Sequence, residues 1–144
     1  MFIRRLIIIL ILILLGISIG MMTTYHNTTK KVIKKTVCTY MNAWIEGNTQ
    51  KMYELLVPEE QEIASKEEYK KQFEELPIAP MNYALKKVKI KGHIAYAILK
   101  IQWPGNLDNK EDSKLKKESI KEYIFLRKVK KEWRIVENES SFSQ

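Results

Sequence analysis

Residues 93–103 read His93-Ile-Ala-Tyr-Ala-Ile-Leu-Lys-Ile-Gln-Trp103. The run is apolar on both of its alternating faces, which is too much apolar surface for an edge strand and predicts a central one. Upstream, Lys91-Gly92 makes a tight turn, and residues 82–91 alternate with Ala84, Val88 and Ile90 on one side. Downstream, Pro104-Gly105-Asn106 breaks the strand, and the charged residues 106–117 predict a long hairpin loop. Residues 118–130 return as a strand, with Ile120, Ile124 and Leu126 opposite in phase to Tyr123, Phe125 and Val129. Lys131-Glu132 turns the chain into a last strand, Trp133-Arg-Ile-Val136. Four antiparallel strands in a meander follow.

Before Pro80 the period is helical. Ile33, Val37, Tyr40, Met41, Trp44 and Ile45 recur at spacings of three and four, which predicts an amphipathic helix over 30–46, capped by Asn27 to Thr29 and stopped by Gly47. Asn48 or Thr49 opens a second helix that buries Met52, Leu55 and Leu56 and ends at Pro58. Ser65-Lys-Glu-Glu68 is a capping box opening a third, with Tyr69, Phe73 and Leu76 on one face, closed by Pro77 and Pro80. Helices followed by an antiparallel meander make an α+β chain, with no βαβ unit for a doubly wound sheet.

The chain has 144 residues, room for one domain. Its 45% apolar content is unevenly spread: residues 6–22 carry no charge, and of 25 Lys and Arg only Arg4 and Arg5 precede Lys30. As a helix, residues 6–22 span about 25 Å at 1.5 Å per residue. With Thr23 to Tyr25 added, that matches a bilayer core of about 30 Å. Residues 1–25 are therefore expected to be a transmembrane anchor with the N-terminus cytoplasmic. A signal peptide is the competitor, with secretion if cleaved, although no Ala-x-Ala-like site follows. Residues 26–29 then form a tether, 30–138 an extracytoplasmic domain and 139–144 a frayed tail.

The stretch Tyr40-Met-Asn-Ala-Trp44-Ile-Glu-Gly47-Asn-Thr-Gln-Lys-Met52-Tyr53, followed by Ser65-Lys-Glu-Glu-Tyr69, resembles the N-terminal, non-catalytic domain of methicillin-resistance-type penicillin-binding proteins. That domain belongs to the nuclear-transport-factor-2-like superfamily, and Lys131-Glu-Trp133-Arg-Ile-Val136 resembles its last strand. The resemblance covers about residues 30–137 and implies a cone: three helices packed on a curved sheet of about four strands. No transpeptidase signature (Ser-x-x-Lys, Ser-x-Asn, Lys-Thr-Gly) is present, so that activity does not transfer.

Few residues invite chemistry. Cys38 is the single cysteine and has no intramolecular partner. His26 and His93 are the only histidines and lie far apart, which leaves no zinc-ligand spacing. No cofactor or metal is expected. The resemblance implies that relatives of this fold can be enzymes or lipophilic-ligand binders, using carboxylate, His or Tyr groups inside the cone. Tyr40, Trp44, Tyr53, Tyr69, Phe73 and Tyr96 are the candidate lining here, although aromatics at such spacing usually serve as core. Glu122 is the one acidic residue at an inward strand position.

Charge is segregated. Residues 52–76 carry 8 Glu against 3 Lys, and residues 77–144 carry 15 Lys and Arg against 8 Asp and Glu. Lys86, Lys87, Lys89, Lys91, Lys128, Lys130 and Lys131 are the candidate basic surface. They either protect exposed strands or contact anionic headgroups, wall polymers or an acidic partner. Nucleic acid is not expected as a partner, since no reading motif is present. The expected role is a non-catalytic, membrane-anchored accessory module of the bacterial cell envelope, holding an envelope protein. A scaffold part of a secretion or conjugation machine is a variant of it. The rival is a binder, or enzyme, of a small lipophilic molecule. It requires a real pocket, where the accessory role predicts an interior filled by the protein's own side chains.

Overall fold

The computed structural model describes residues 2–75, 79–104 and 119–137. Its elements are α1 (Phe2–Ile45), α2 (Thr49–Glu54), α3 (Pro58–Ile63), α4 (Lys66–Glu74), β1 (Asn82–Lys91), β2 (Ile94–Gln102), β3 (Ser119–Val129) and β4 (Glu132–Val136). The chain divides into two compact units, residues 1–32 and 33–144. The expected loop over 106–117, Leu76 and the expected frayed tail lie outside the described residues.

In the first unit, residues 23–29 are helical and do not start a new helix, so Asn27 to Thr29 cap nothing. Thr28 Oγ1 instead donates to the Thr24 carbonyl at 3.0 Å, the back-bond by which a helical threonine satisfies its hydroxyl. Among the described residues, no helix is long and apolar enough to cross a membrane. This overturns the transmembrane anchor expected over residues 1–25, and with it the single-pass placement. The expectation rests on the length of the uncharged run at 6–22, with 23–25 added. In the structure that run is part of a 44-residue helix that continues through Thr24, Tyr25, His26 and Asn27 into the lysines at 30, 31, 34 and 35.

The second unit is α+β. The sheet order is β1-β2-β3-β4, every neighbour antiparallel. Ala95, Ala97, Leu99 and Ile101 of β2 are all buried and meet Ile33, Val37, Tyr40 and Met41 of α1 in one core. Ile45, expected inward, is 36% exposed. A register shift between Leu85 and Lys87 is a bulge that reverses the alternation of β1. Tyr83 and Leu85 therefore share the inner side with Val88 and Ile90, and Ala84, expected there, pairs with Lys100 on the outer side.

The helix ends follow local chemistry. Asn48 N donates to the Ala43 carbonyl at 2.8 Å and Gly47 N to Trp44 at 3.1 Å, a Schellman ending whose left-handed residue is Gly47 at φ +68°. Asn48 then caps α2 through Lys51 N. Pro58, expected only to end the second helix, starts a helix of its own, so four helices precede the sheet. At the first helical position its missing N–H is no loss and its fixed φ is already helical. Ser65 and Glu68 form the expected capping box of α4, and the Ser65 backbone N–H and hydroxyl hold the Glu68 carboxyl below its ordinary range. Leu56 pairs in parallel with Ile135, so the α2–α3 connection lies along the free edge of β4.

Candidate ligand cavity

A cavity of about 620 Å³ opens within the second unit, between the helices and the far end of the sheet. α1 contributes Tyr40 and Trp44, α4 contributes Tyr69, Gln72 and Phe73, and Trp103 follows β2. β3 supplies Glu122 and Ile124 from its inner face and borders the cavity at Tyr123 and Phe125, whose register is that of the outer face. Met52, Ile101, Ile135 and Val136 also line it. Positions 40 and 44 lie one turn apart on α1, as 69 and 73 do on α4, so each helix presents a pair of rings. β4 pairs only with residues 125–129 of β3, and the cavity lies beside the preceding residues of that strand.

The rings meet edge to face. Trp44 stands 6.3 Å from Tyr40, 6.4 Å from Phe73 and 5.7 Å from Trp103, at interplanar angles of 67°, 66° and 75°. Such near-perpendicular contacts set the positive edge of one ring against the negative face of the next. Trp44 Nε1 is buried and has no hydrogen-bond partner among the described residues.

One end of the cavity is polar. The hydroxyls of Tyr40 and Tyr69 both donate to Glu137 Oε1, the latter at 2.8 Å. Glu137 N in turn donates to both carboxylate oxygens of the buried Glu60, at 3.0 and 3.2 Å. Burial pushes the Tyr40 phenol well above its ordinary range, and the negative charge of Glu137 adds to this. Tyr69 is raised by the same two causes in the same order. Both remain protonated donors at neutral pH. Elsewhere on α1, Tyr83 donates to the exposed Asn42 Oδ1 at 2.9 Å, and its phenol is pushed up to about 12 by burial and then by Cys38.

Of the six aromatic residues expected to line a cavity, the structure brings Tyr40, Trp44, Tyr69 and Phe73 together there. Tyr53 stands behind the wall. Its hydroxyl lies 2.8 Å from the Gln61 carbonyl and 2.9 Å from that of Ala64, and its ring packs 5.6 Å from Tyr69. It braces α3 instead of facing a ligand. Tyr96 is on the outer face of the sheet, opposite Phe125 and beside Tyr123. Trp103, Gln72 and Glu137 were not foreseen. Trp103 closes the strand at Pro104, a visible signal, whereas nothing local marks Glu137, whose tyrosine partners are 68 and 97 residues away.

The seven lysines expected to form one basic surface separate. Lys87, Lys89 and Lys91 pair with Ile98, Tyr96 and Ile94 and so share the outer face. Lys86 occupies the bulge, Lys128 pairs with Trp133, and Lys130 and Lys131 form the β3–β4 turn. Lys100 and Lys121, not foreseen, lie opposite each other on the outer face. Lys89 lies 5.5 Å over the Tyr96 ring and Lys121 lies 5.2 Å over Tyr123, and the hydrogen bond to Tyr96 raises the Lys89 ammonium above its ordinary value. Cys38 is half-buried with a free thiol, and His26 and His93 are both exposed. Among the described residues, no group of three or more His, Cys, Asp or Glu could hold a metal ion.

No family model matches the chain, and no curated protein matches it. Among solved structures it is similar to a SEC-C motif containing protein from Rhodopseudomonas palustris, at 15% identity and a TM-score of 0.47, over 68% of this chain and 70% of that one.

Proposed function

We propose that this domain is a non-catalytic binding module that takes up a small, largely apolar molecule in its cavity. The observation that carries this is the cavity itself. A volume of about 620 Å³ falls in the range of about 300–1,000 Å³ common for small-molecule sites. An interior filled by its own side chains, as an accessory domain would have, leaves no such space. A binding role fits the chemistry better than a catalytic one. A general acid or base works best with a pKa near the operating pH, and Tyr40 and Tyr69 are moved further from it while both are engaged by Glu137.

The test uses the full chain and Nile red, a neutral apolar dye. We expect saturable binding of one dye per chain with quenching of tryptophan fluorescence, because Trp44 and Trp103 stand in the wall. The Ile124→Trp variant places a larger side chain in the space and should abolish binding without unfolding the protein. Non-saturable dye uptake, or equal uptake by the folded variant, refutes the reading.

A further inference from the structure

We infer that the occupant of the cavity is an organic cation, a molecule with an apolar body and an ammonium head. This rests on the binding reading above and adds the chemical class of the ligand. The chain is strongly basic, with 25 Lys and Arg and a net charge of +8, yet none of the described lining residues is Lys, Arg or His. Two are carboxylates, Glu122 and Glu137. Against so many basic residues elsewhere, a wall with acidic groups alone rejects anions and favours cations.

The aromatic lining makes the same selection by another route. Tyr40, Phe73 and Trp103 surround Trp44 at angles of 66–75°, so the rings form adjoining walls instead of a parallel stack. An ammonium held against ring faces in a partly desolvated box gains the cation–π attraction known from aromatic cages. Glu122 is placed for the charge. It pairs with the fully buried Leu99 across β2 and β3, which sets it on the helix-facing side of the sheet. It is half-buried and has no hydrogen-bond or ion-pair partner among the described residues. Glu137 is already occupied at Oε1 by the two tyrosines, so Glu122 is the primary counter-charge. The sheet has opposite characters on its two sides: lysines lie over tyrosines outside, and carboxylates stand among aromatics inside.

The experiment is calorimetric titration of the full chain with 6-(trimethylammonio)hexan-1-ol, with its neutral carbon isostere 7,7-dimethyloctan-1-ol, and with octanoate. Hydrophobic transfer alone favours the neutral isostere. We expect the cation to bind about tenfold more tightly than the isostere, which corresponds to about 1.4 kcal/mol. Octanoate should be the weakest. Glu122→Gln should lower affinity for the cation severalfold and leave the neutral isostere unchanged, a split that general damage to the fold does not produce. If the isostere or octanoate binds as tightly as the cation, the charge assignment fails while the cavity reading stands. If none of the three binds and Nile red does not bind either, the cavity reading itself fails.

Discussion

The two tyrosines that converge on Glu137 make stability fall in alkaline solution, by an amount that follows from their burial. Tyr40 is 5% exposed and Tyr69 is 9% exposed, and both phenols are raised by burial and by the adjoining carboxylate. A folded-state value above the unfolded one means that the native chain keeps its proton where the unfolded chain has lost it. The stabilisation is therefore complete below the unfolded value of about 10 and is lost as the pH climbs through the folded value. At pH 11 each such tyrosine costs about 1.4 kcal/mol relative to neutral pH, and the pair about 2.8 kcal/mol. The comparison that isolates this is wild type against Tyr40→Phe/Tyr69→Phe. At pH 8.5 the variant should be the less stable, because each phenol's bond to Glu137 contributes about 1 kcal/mol or more. By pH 11 the gap should have closed by about 2.8 kcal/mol. Urea unfolding followed by tryptophan fluorescence at pH 8.5, 10 and 11 and constant ionic strength measures it. Lysines titrate in both proteins and cancel. A gap that stays constant across this range refutes the shared-carboxylate account.

Ser65→Ala removes the hydroxyl half of the capping box and should cost about 1 kcal/mol in urea unfolding. Because α4 carries Tyr69 and Phe73, Nile red affinity should fall as well. Lys130 has a left-handed φ of +55°, so Lys130→Gly should stabilise the protein by up to about 1 kcal/mol while the β-branched Lys130→Val destabilises it, read as opposite shifts in Tm. Leu126→Ala truncates a fully buried side chain at the centre of β3 and should cost about 2–5 kcal/mol by urea unfolding.

The sheet half of the fold was legible because its signals are local. Gly92 has the left-handed φ of +62° expected of a tight turn, and strands expected at 82–91, 93–103, 118–130 and 133–136 differ from those observed by a residue at their ends. The bulge at Lys86 was not legible, since one extra residue leaves the alternation before and after it intact in appearance. Pro58 has two meanings, helix end and helix start, and only the chain's path along β4 selects between them. The N-terminal run shows the limit of composition: a window of uncharged residues says nothing of the helix into which it continues. Of the site, the four rings of α1 and α4 followed from helical spacing. Glu137 did not, because it acquires its role only when the last strand brings it to partners far away in sequence.

The segment 54–60 and the last strand grip each other at several points. Val57 N donates to the Ile135 carbonyl at 2.9 Å, Ile135 N donates to Leu55 at 2.8 Å, and Arg134 reaches the Glu54 carbonyl, while Arg127 of the neighbouring β3 meets Glu59 at 2.5 Å. A nascent chain leaving the ribosome exposes Leu56 some eighty residues before the strand that receives it. The α2–α3 connection therefore has no strand to pair with until β4 has emerged, although α1 already has β2 to pack on. The domain must complete its fold after synthesis of the last strand, at the slow pace that closing so long a loop imposes. A chain that stalls or is cut before Trp133 would lose more than an edge strand. The α2–α3 connection would be left without its seat, and the cavity without the carboxylate that ties its two tyrosines together.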